Sequence, residues 1–181
     1  NRESSILSLT NCTIAANAAT TTGASIHAQQ SSLVYALNCI LWGTTGNNNI
    51  NLAGATGQID YSVVYGGFTG TGNIASDPLL LELADNGGPA DTMALRVGSP
   101  AISTGLGGEG ALTKDQRGVI RPSIPSIGAF EYVMPDVDGD GLPDFWESLY
   151  FGGASNGVAS LDSDGDNMTN LQEYEAGTNP L

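Results

Sequence analysis

The chain has 181 residues, only 13% of them charged, with 25 glycines and a formal net charge of −14 at neutral pH. That balance argues against nucleic acid and anionic membrane surfaces as partners, because both require basic patches. No apolar run approaches the roughly 20 residues that span a bilayer, so no transmembrane segment is expected. Low charge with abundant Ser, Thr, Asn and Ala departs from ordinary soluble proteins, which carry about 25% charged residues, and fits a β-rich extracellular protein. The opening stretch NRESSILSLT has no apolar leader. We therefore read the chain as a processed piece of a longer exported protein, secreted or at the cell surface.

The first elements are short and β-branched. Candidate strands are residues 5–9, 24–28 and 33–37, with a very short one at 50–52. Asn11-Cys12-Thr13-Ile14 recurs as Asn38-Cys39-Ile40-Leu41, and a third apolar segment follows at Tyr61-Ser62-Val63-Val64-Tyr65. Gly-, Asn- and Thr-rich turns separate them, and no helical periodicity appears before residue 140. Recurrence every 20 to 30 residues is the mark of a solenoid. The expected fold class is mainly β: a parallel β-helix solenoid, plus a small loop–helix module carrying the α structure. Stacked coils would make Asn11 and Asn38 equivalent, able to form an amide ladder. Cys12 and Cys39 would be neighbours, either as two buried thiols or as a bridge between coils.

Next comes GNIASDPLLLELADNGGPADTMALRVGSPAIS, then TKDQRGVIRPSIPSIGAFEY. The DPLL, DNGGP, SPAI, DQRG and IGAFE blocks resemble, in order, the C-terminal end of bacterial surface β-helix proteins of the polymorphic-outer-membrane-like, choice-of-anchor Q type. The resemblance covers roughly residues 1–132 and implies a right-handed β-helix whose last coils are closed by residues 76–132. That family usually has Asp where this chain has Ser103 and Ser126. Pro78, Pro89, Pro100, Pro122 and Pro125 cannot extend a strand ladder, so the segment is expected to fold over the exposed coil end. Asp115 and Arg117 are close enough in sequence to form an ion pair there.

Residues 136–181 hold ten of the 19 acids and none of the five bases. Two stretches, DVDGDGLPDFWE and DSDGDNMTNLQE, carry a carboxylate at every second position. Ca²⁺ takes six to eight oxygen ligands, and a 12-residue loop supplies them from positions 1, 3, 5, the carbonyl of 7, position 9 and a bidentate Glu at 12. The first loop offers Asp136, Asp138, Asp140, the Leu142 carbonyl, Asp144 and Glu147. The second offers Asp162, Asp164, Asp166, the Met168 carbonyl, Asn170 and Glu173. Oxygen fills every liganding position twice, so two calcium ions are the expected cofactors. Position 6 needs φ > 0; Gly141 adopts it freely and Asn167 with mild strain, so the second site is expected to be the weaker.

Helices are expected over residues 143–151 and 169–176, with Gly152 and Gly177 ending them. Trp146, Leu149, Tyr150, Leu171 and Tyr174 would form a miniature core. Pro143, at position 8, has no N–H, so the two-bond bridge of paired EF-hand loops can keep at most one bond, and coupling between the sites is expected to be weak. Loop–helix halves without entering helices resemble the calcium repeats of dockerins and bacterial thrombospondin type 3 segments, and EYEAGTNP resembles the tail of such repeats. The expected division is 1–132 for coils and closing segment, and 133–181 for the calcium module.

The expected role is structural, in adhesion or attachment, with a carbohydrate or protein ligand for the coil surface, and no catalysis by this chain. Two alternatives stay open: the tail of a carbohydrate-active β-helix enzyme, either lyase or hydrolase, and a dockerin-like module that docks onto a protein. Hydrolases need an Asp/Glu pair. In residues 1–75 the ionisable side chains besides Tyr and Cys are Arg2, Glu3, His27 and Asp60. The lone His27 reads as a surface residue.

Overall fold

The computed structural model describes residues 5–43, 49–108 and 110–181. The chain divides into two compact units, Asn1–Tyr132 and Val133–Leu181.

The first unit is mainly β. Eight strands open it: β1 (Ile6–Thr10), β2 (Thr13–Ala15), β3 (Ile26–Gln29), β4 (Leu33–Leu37), β5 (Ile40–Trp42), β6 (Ile50–Ala53), β7 (Thr56–Asp60) and β8 (Val63–Val64). Each of β1 to β5 pairs in parallel with the third strand after it, giving the sheets β1-β4-β7, β2-β5-β8 and β3-β6. Ile26, Val34, Ala36, Leu41, Ile59 and Val64, one or more from each sheet, meet in a single core. Side chains alternate across a strand, so Ile40 and Val63, next to Leu41 and Val64, face the other way. They join a second core with Leu95, Ala101 and Ile127. The sheet β2-β5-β8 is therefore buried on both faces.

Registers align Thr10 with Leu37 and Leu37 with Asp60. The next residues, Asn11, Asn38 and Tyr61, all have left-handed φ of 51°, 53° and 47°. They make the same corner three times. Asn tolerates this region best among residues with a Cβ, which explains why two of the three corners use it. One position later, Cys12, Cys39 and Ser62 each bond the carbonyl two residues back, on Thr10, Leu37 and Asp60. Cys12 and Cys39 are free thiols. The hydrogen bond that the Cys39 thiol donates to Cys12, together with burial, pushes Cys39 well above its ordinary pKa.

The amide ladder does not form. Asn38 exchanges both side-chain bonds with the backbone of Leu106, each at 2.8 Å, and Asn11 Oδ1 accepts from Leu112 N–H at 3.4 Å. The corner amides tie down the segment that follows the coils, which offers buried backbone groups in need of partners.

That segment contains an antiparallel pair, β9 (Leu80–Ala84) with β10 (Thr92–Leu95). It reaches back along the coils rather than only over their last edge: Ala129 N–H donates to Thr13 Oγ1 at 3.0 Å and Gly128 N–H to the Asn38 carbonyl at 2.9 Å. The apolar outer face of β2-β5-β8 requires this cover. Two ionic knots hold it. Arg117 pairs with Asp115 at 2.7 Å and lies 3.6 Å over the Phe130 ring. Buried Glu131 accepts from Arg121 at 2.7 Å, from Ser126 Oγ at 2.8 Å and from Ser126 N–H at 2.9 Å.

The second unit has two helices, α1 (Asp144–Phe151) and α2 (Asn170–Ala176). Left-handed glycines, Gly152 at φ 77° and Gly177 at φ 72°, end them. Thr169 caps α2 in a capping box with Gln172. Trp146 and fully buried Leu142 anchor the core, and the Trp146 ring lies 5.0, 5.8 and 5.7 Å from those of Tyr150, Phe151 and Tyr174. Leu149, expected inside, is 69% exposed. It falls four residues after exposed Phe145, on the outer stripe of α1, while Trp146 and Tyr150 take the inner one.

Candidate metal centre

In each acidic loop, Asp residues at alternate positions converge. Asp136, Asp138 and Asp140 present oxygens that lie within 4.8 Å of one another, and so do Asp162, Asp164 and Asp166. Either triplet could hold a metal ion.

Backbone donors set the convergence. Asp136 accepts from Gly139 N–H at 2.8 Å and from Gly141 N–H at 3.1 Å. Asp162 accepts from Gly165 N–H at 2.7 Å and from Asn167 N–H at 2.9 Å. The first Asp thus closes each loop onto itself. The turn requires a left-handed residue at position 6, and Gly141 and Asn167 supply it with φ 100° and 77°. Asp140 and Asp166 accept from Leu142 and Met168 N–H at 2.9 and 2.8 Å. Among the described residues no backbone N–H donates to the carbonyls of Leu142 or Met168.

The glutamates arrive from the helices. Glu147 and Glu173 sit in the first full turns of α1 and α2 and are 0% and 1% exposed. Neither Glu173 carboxylate oxygen has a hydrogen-bond partner; Glu147 Oε1 accepts from Gly157 N–H at 2.9 Å while Oε2 has none. Burial raises the pKa of both, and neighbouring aspartates raise it further: Asp164, Asp166 and Asp162 at Glu173, and Asp138, Asp140 and Asp144 at Glu147. A carboxylate buried without donors beside other carboxylates is costly unless a cation accompanies it. This is the fit test for a metal: the second loop meets it with both oxygens of Glu173, and the first with Oε2 of Glu147.

The position-9 residues behave differently. Asp144 Oδ1 accepts from Val137 N–H at 2.8 Å and so braces its own loop. Asn170 is 1% exposed; its Nδ2 donates to the Val158 carbonyl at 2.9 Å, and its Oδ1 has no partner.

The sequence marks FGGASNGVAS as the connector between the loops but not its bonding to them. Residues 157–161 lie between the loops and bond to both, and no residue type in FGGASNGVAS signals it. Their N–H and C=O groups do this work, and every residue has those. On the first unit, His27 is exposed and bonded to Gln29 at 3.0 Å, at the rim of a cavity of about 450 Å³. A second cavity, of about 350 Å³, is lined by Asn17, Asp91 and Gln116 with Ile14 and Met93. Comparison of the chain with protein-family models, curated proteins and solved structures finds no match.

Proposed function

We propose that the second unit binds two calcium ions, one per acidic loop, and that the first is the closing part of a right-handed parallel β-helix from a secreted or cell-surface protein. The role is structural: a calcium-stabilised C-terminal module that serves adhesion or attachment. One observation carries the calcium reading. Glu173, 1% exposed, keeps both carboxylate oxygens without a donor beside three aspartates.

Calcium would supply the positive charge that these oxygens lack. Asp136, Asp138, Asp140, the Leu142 carbonyl and Glu147 would hold it in the first loop; Asp162, Asp164, Asp166, the Met168 carbonyl and Glu173 would hold it in the second, with Asn170 Oδ1 in reserve. An all-oxygen set with a glutamate free to bind through both oxygens suits calcium over magnesium, which prefers near-octahedral sites and keeps several waters. Extracellular calcium fills even sites with dissociation constants of about 10⁻⁴ M, so the module stays loaded. Binding free energy then becomes folding free energy for residues 133–181.

The β-helix reading rests on three parallel sheets around one core, with each of β1 to β5 paired to the third strand after it. The repeated left-handed corner at Asn11, Asn38 and Tyr61 supports it. Metal analysis after dialysis against calcium tests the module: two ions per chain are expected, one in E147Q or E173Q, and none in the double variant. A wild-type chain that retains no calcium overturns the reading.

A further inference from the structure

We propose that residues 157–161 form a strap shared by the two ion sites, through which calcium at one site tightens calcium at the other; this rests on the calcium reading above. In paired EF-hand loops the link runs between the position-8 residues. Here Pro143 has no N–H, and Thr169 N–H is taken by Gln172 Oε1 of its own capping box at 2.8 Å. Neither position-8 residue has a donor to give the other loop.

The strap replaces that link and is polar in an ordered way. Its donors face the first site: Gly157 N–H to Glu147 Oε1 at 2.9 Å and Ala159 N–H to Asp140 Oδ2 at 2.8 Å. Its acceptors face the second. The Val158 carbonyl takes Asn170 Nδ2 at 2.9 Å, the Leu161 carbonyl takes Asn170 N–H at 2.7 Å, and the Ala159 carbonyl takes Leu171 N–H at 3.1 Å. Leu161 then leads directly into Asp162, the first carboxylate of the second loop.

Two ligands of the first site and one candidate ligand of the second are therefore held by the same five residues. Filling the first site fixes Asp140 and Glu147, which fixes the strap. Filling the second fixes Asn170 and the start of α2, which fixes it from the other side. The ordering cost of the strap falls on whichever ion binds first, and the second ion finds it ordered. The sign is positive cooperativity, and linkage makes it reciprocal. Gly157 is buried, and a Cβ there would stand 3.1 Å from Leu142 Cδ1 and 3.2 Å from Glu147 Cγ, so the strap is packed against the first site as well as bonded to it.

Calorimetric calcium titration of the full chain tests this through a thermodynamic cycle. E173Q isolates the first site and E147Q the second. The product of the two wild-type association constants should exceed the product of the single-site constants by at least about tenfold, within the usual range of coupling between sites. A159P, which deletes the donor to Asp140, should lower that ratio by about tenfold, leaving only the coupling that folding of the unit itself supplies, and A159G, which keeps the donor, should preserve it. Amide exchange at residues 157 and 159, followed in E173Q and E147Q so that a misfolded variant is recognised, should slow when either remaining site is filled. Equal products, or a ratio unchanged in A159P, overturn the coupling alone. A wild-type chain that binds no calcium overturns the calcium reading and the strap with it.

Discussion

Chelation should unfold the second unit and spare the first. Within each Asp triplet the nearest oxygens lie within 4.8 Å of one another. Two unit charges at that distance repel by about 1 kcal/mol in water, so three pairs come to about 3 kcal/mol per triplet before screening. Two triplets reach about 6 kcal/mol, without counting the buried glutamates. A unit of this size, at about 0.1 kcal/mol per residue, holds about 5 kcal/mol of stability in total. The metal-free unit is therefore at or below the threshold of folding at low salt. Differential scanning calorimetry in calcium should show two transitions, and EDTA at low ionic strength should remove one. Adding about 1 M NaCl shortens the screening length to about 3 Å, below the spacing of the carboxylates, and should restore part of the lost transition without calcium. The first unit has cores and ionic knots of its own, so its transition should not move. Traces that are identical with and without EDTA at low salt would refute the reasoning.

Three further outcomes follow from the same contacts. R121M leaves Glu131 buried without its cation and should destabilise the first unit by about 3–5 kcal/mol in urea unfolding; S126D, which replaces a donor to Glu131 with a second carboxylate, should act in the same direction. G157A forces a Cβ against Leu142 and Glu147, so calcium affinity at the first site should drop by about tenfold at unchanged stoichiometry, as read by titration of E173Q with and without it. Burial alone would raise the pKa of Asp115, but N–H groups of Glu131, Val119 and Arg117 and the Arg117 guanidinium overcome it and hold the carboxyl below its ordinary value. The stability it contributes is present above the unfolded value of about 3.9 and is lost as pH falls through the lower folded value. Urea midpoints of the first unit should therefore fall more steeply below pH 4 in the wild type than in D115N.

Local chemistry explains which parts were legible in the sequence. The Asp triplets come together because ligand spacing is written within a dozen residues, where Asp136, Asp140, Asp162, Asp164 and Asp166 each find a backbone donor two to five positions away. The helix ends were readable for the same reason, since Gly152 and Gly177 are the left-handed stops their positions require. Strand β4 stands where its short apolar run, residues 33–37, placed it. Strand β7 was not foreseen: TGQID is polar and carries Gly57, and it becomes a strand because β4 offers it a parallel edge. The pair β9 and β10 was not legible because turn-forming Asp, Asn, Gly and Pro fill the stretch between them, while Leu80 and Leu95 pack with Ile40 and Val63 on the outer face of β2-β5-β8. Ser126, Arg121 and Glu131 meet across ten residues in a buried cluster that no spacing rule announces. The corner role of Asn11 and Asn38 was half legible. Their equivalence could be read from the repeat, but their amide partners, Leu112 and Leu106, lie in a segment far along the chain.

The most direct measurement is a crystal structure of the chain grown in calcium-replete buffer, with anomalous difference maps at a long wavelength. Two peaks are expected, one enclosed by Asp136, Asp138, Asp140, the Leu142 carbonyl and Glu147, the other by Asp162, Asp164, Asp166, the Met168 carbonyl and Glu173. Loops without density, or aspartates turned outward with Glu147 and Glu173 bonded to protein donors instead, would contradict the account.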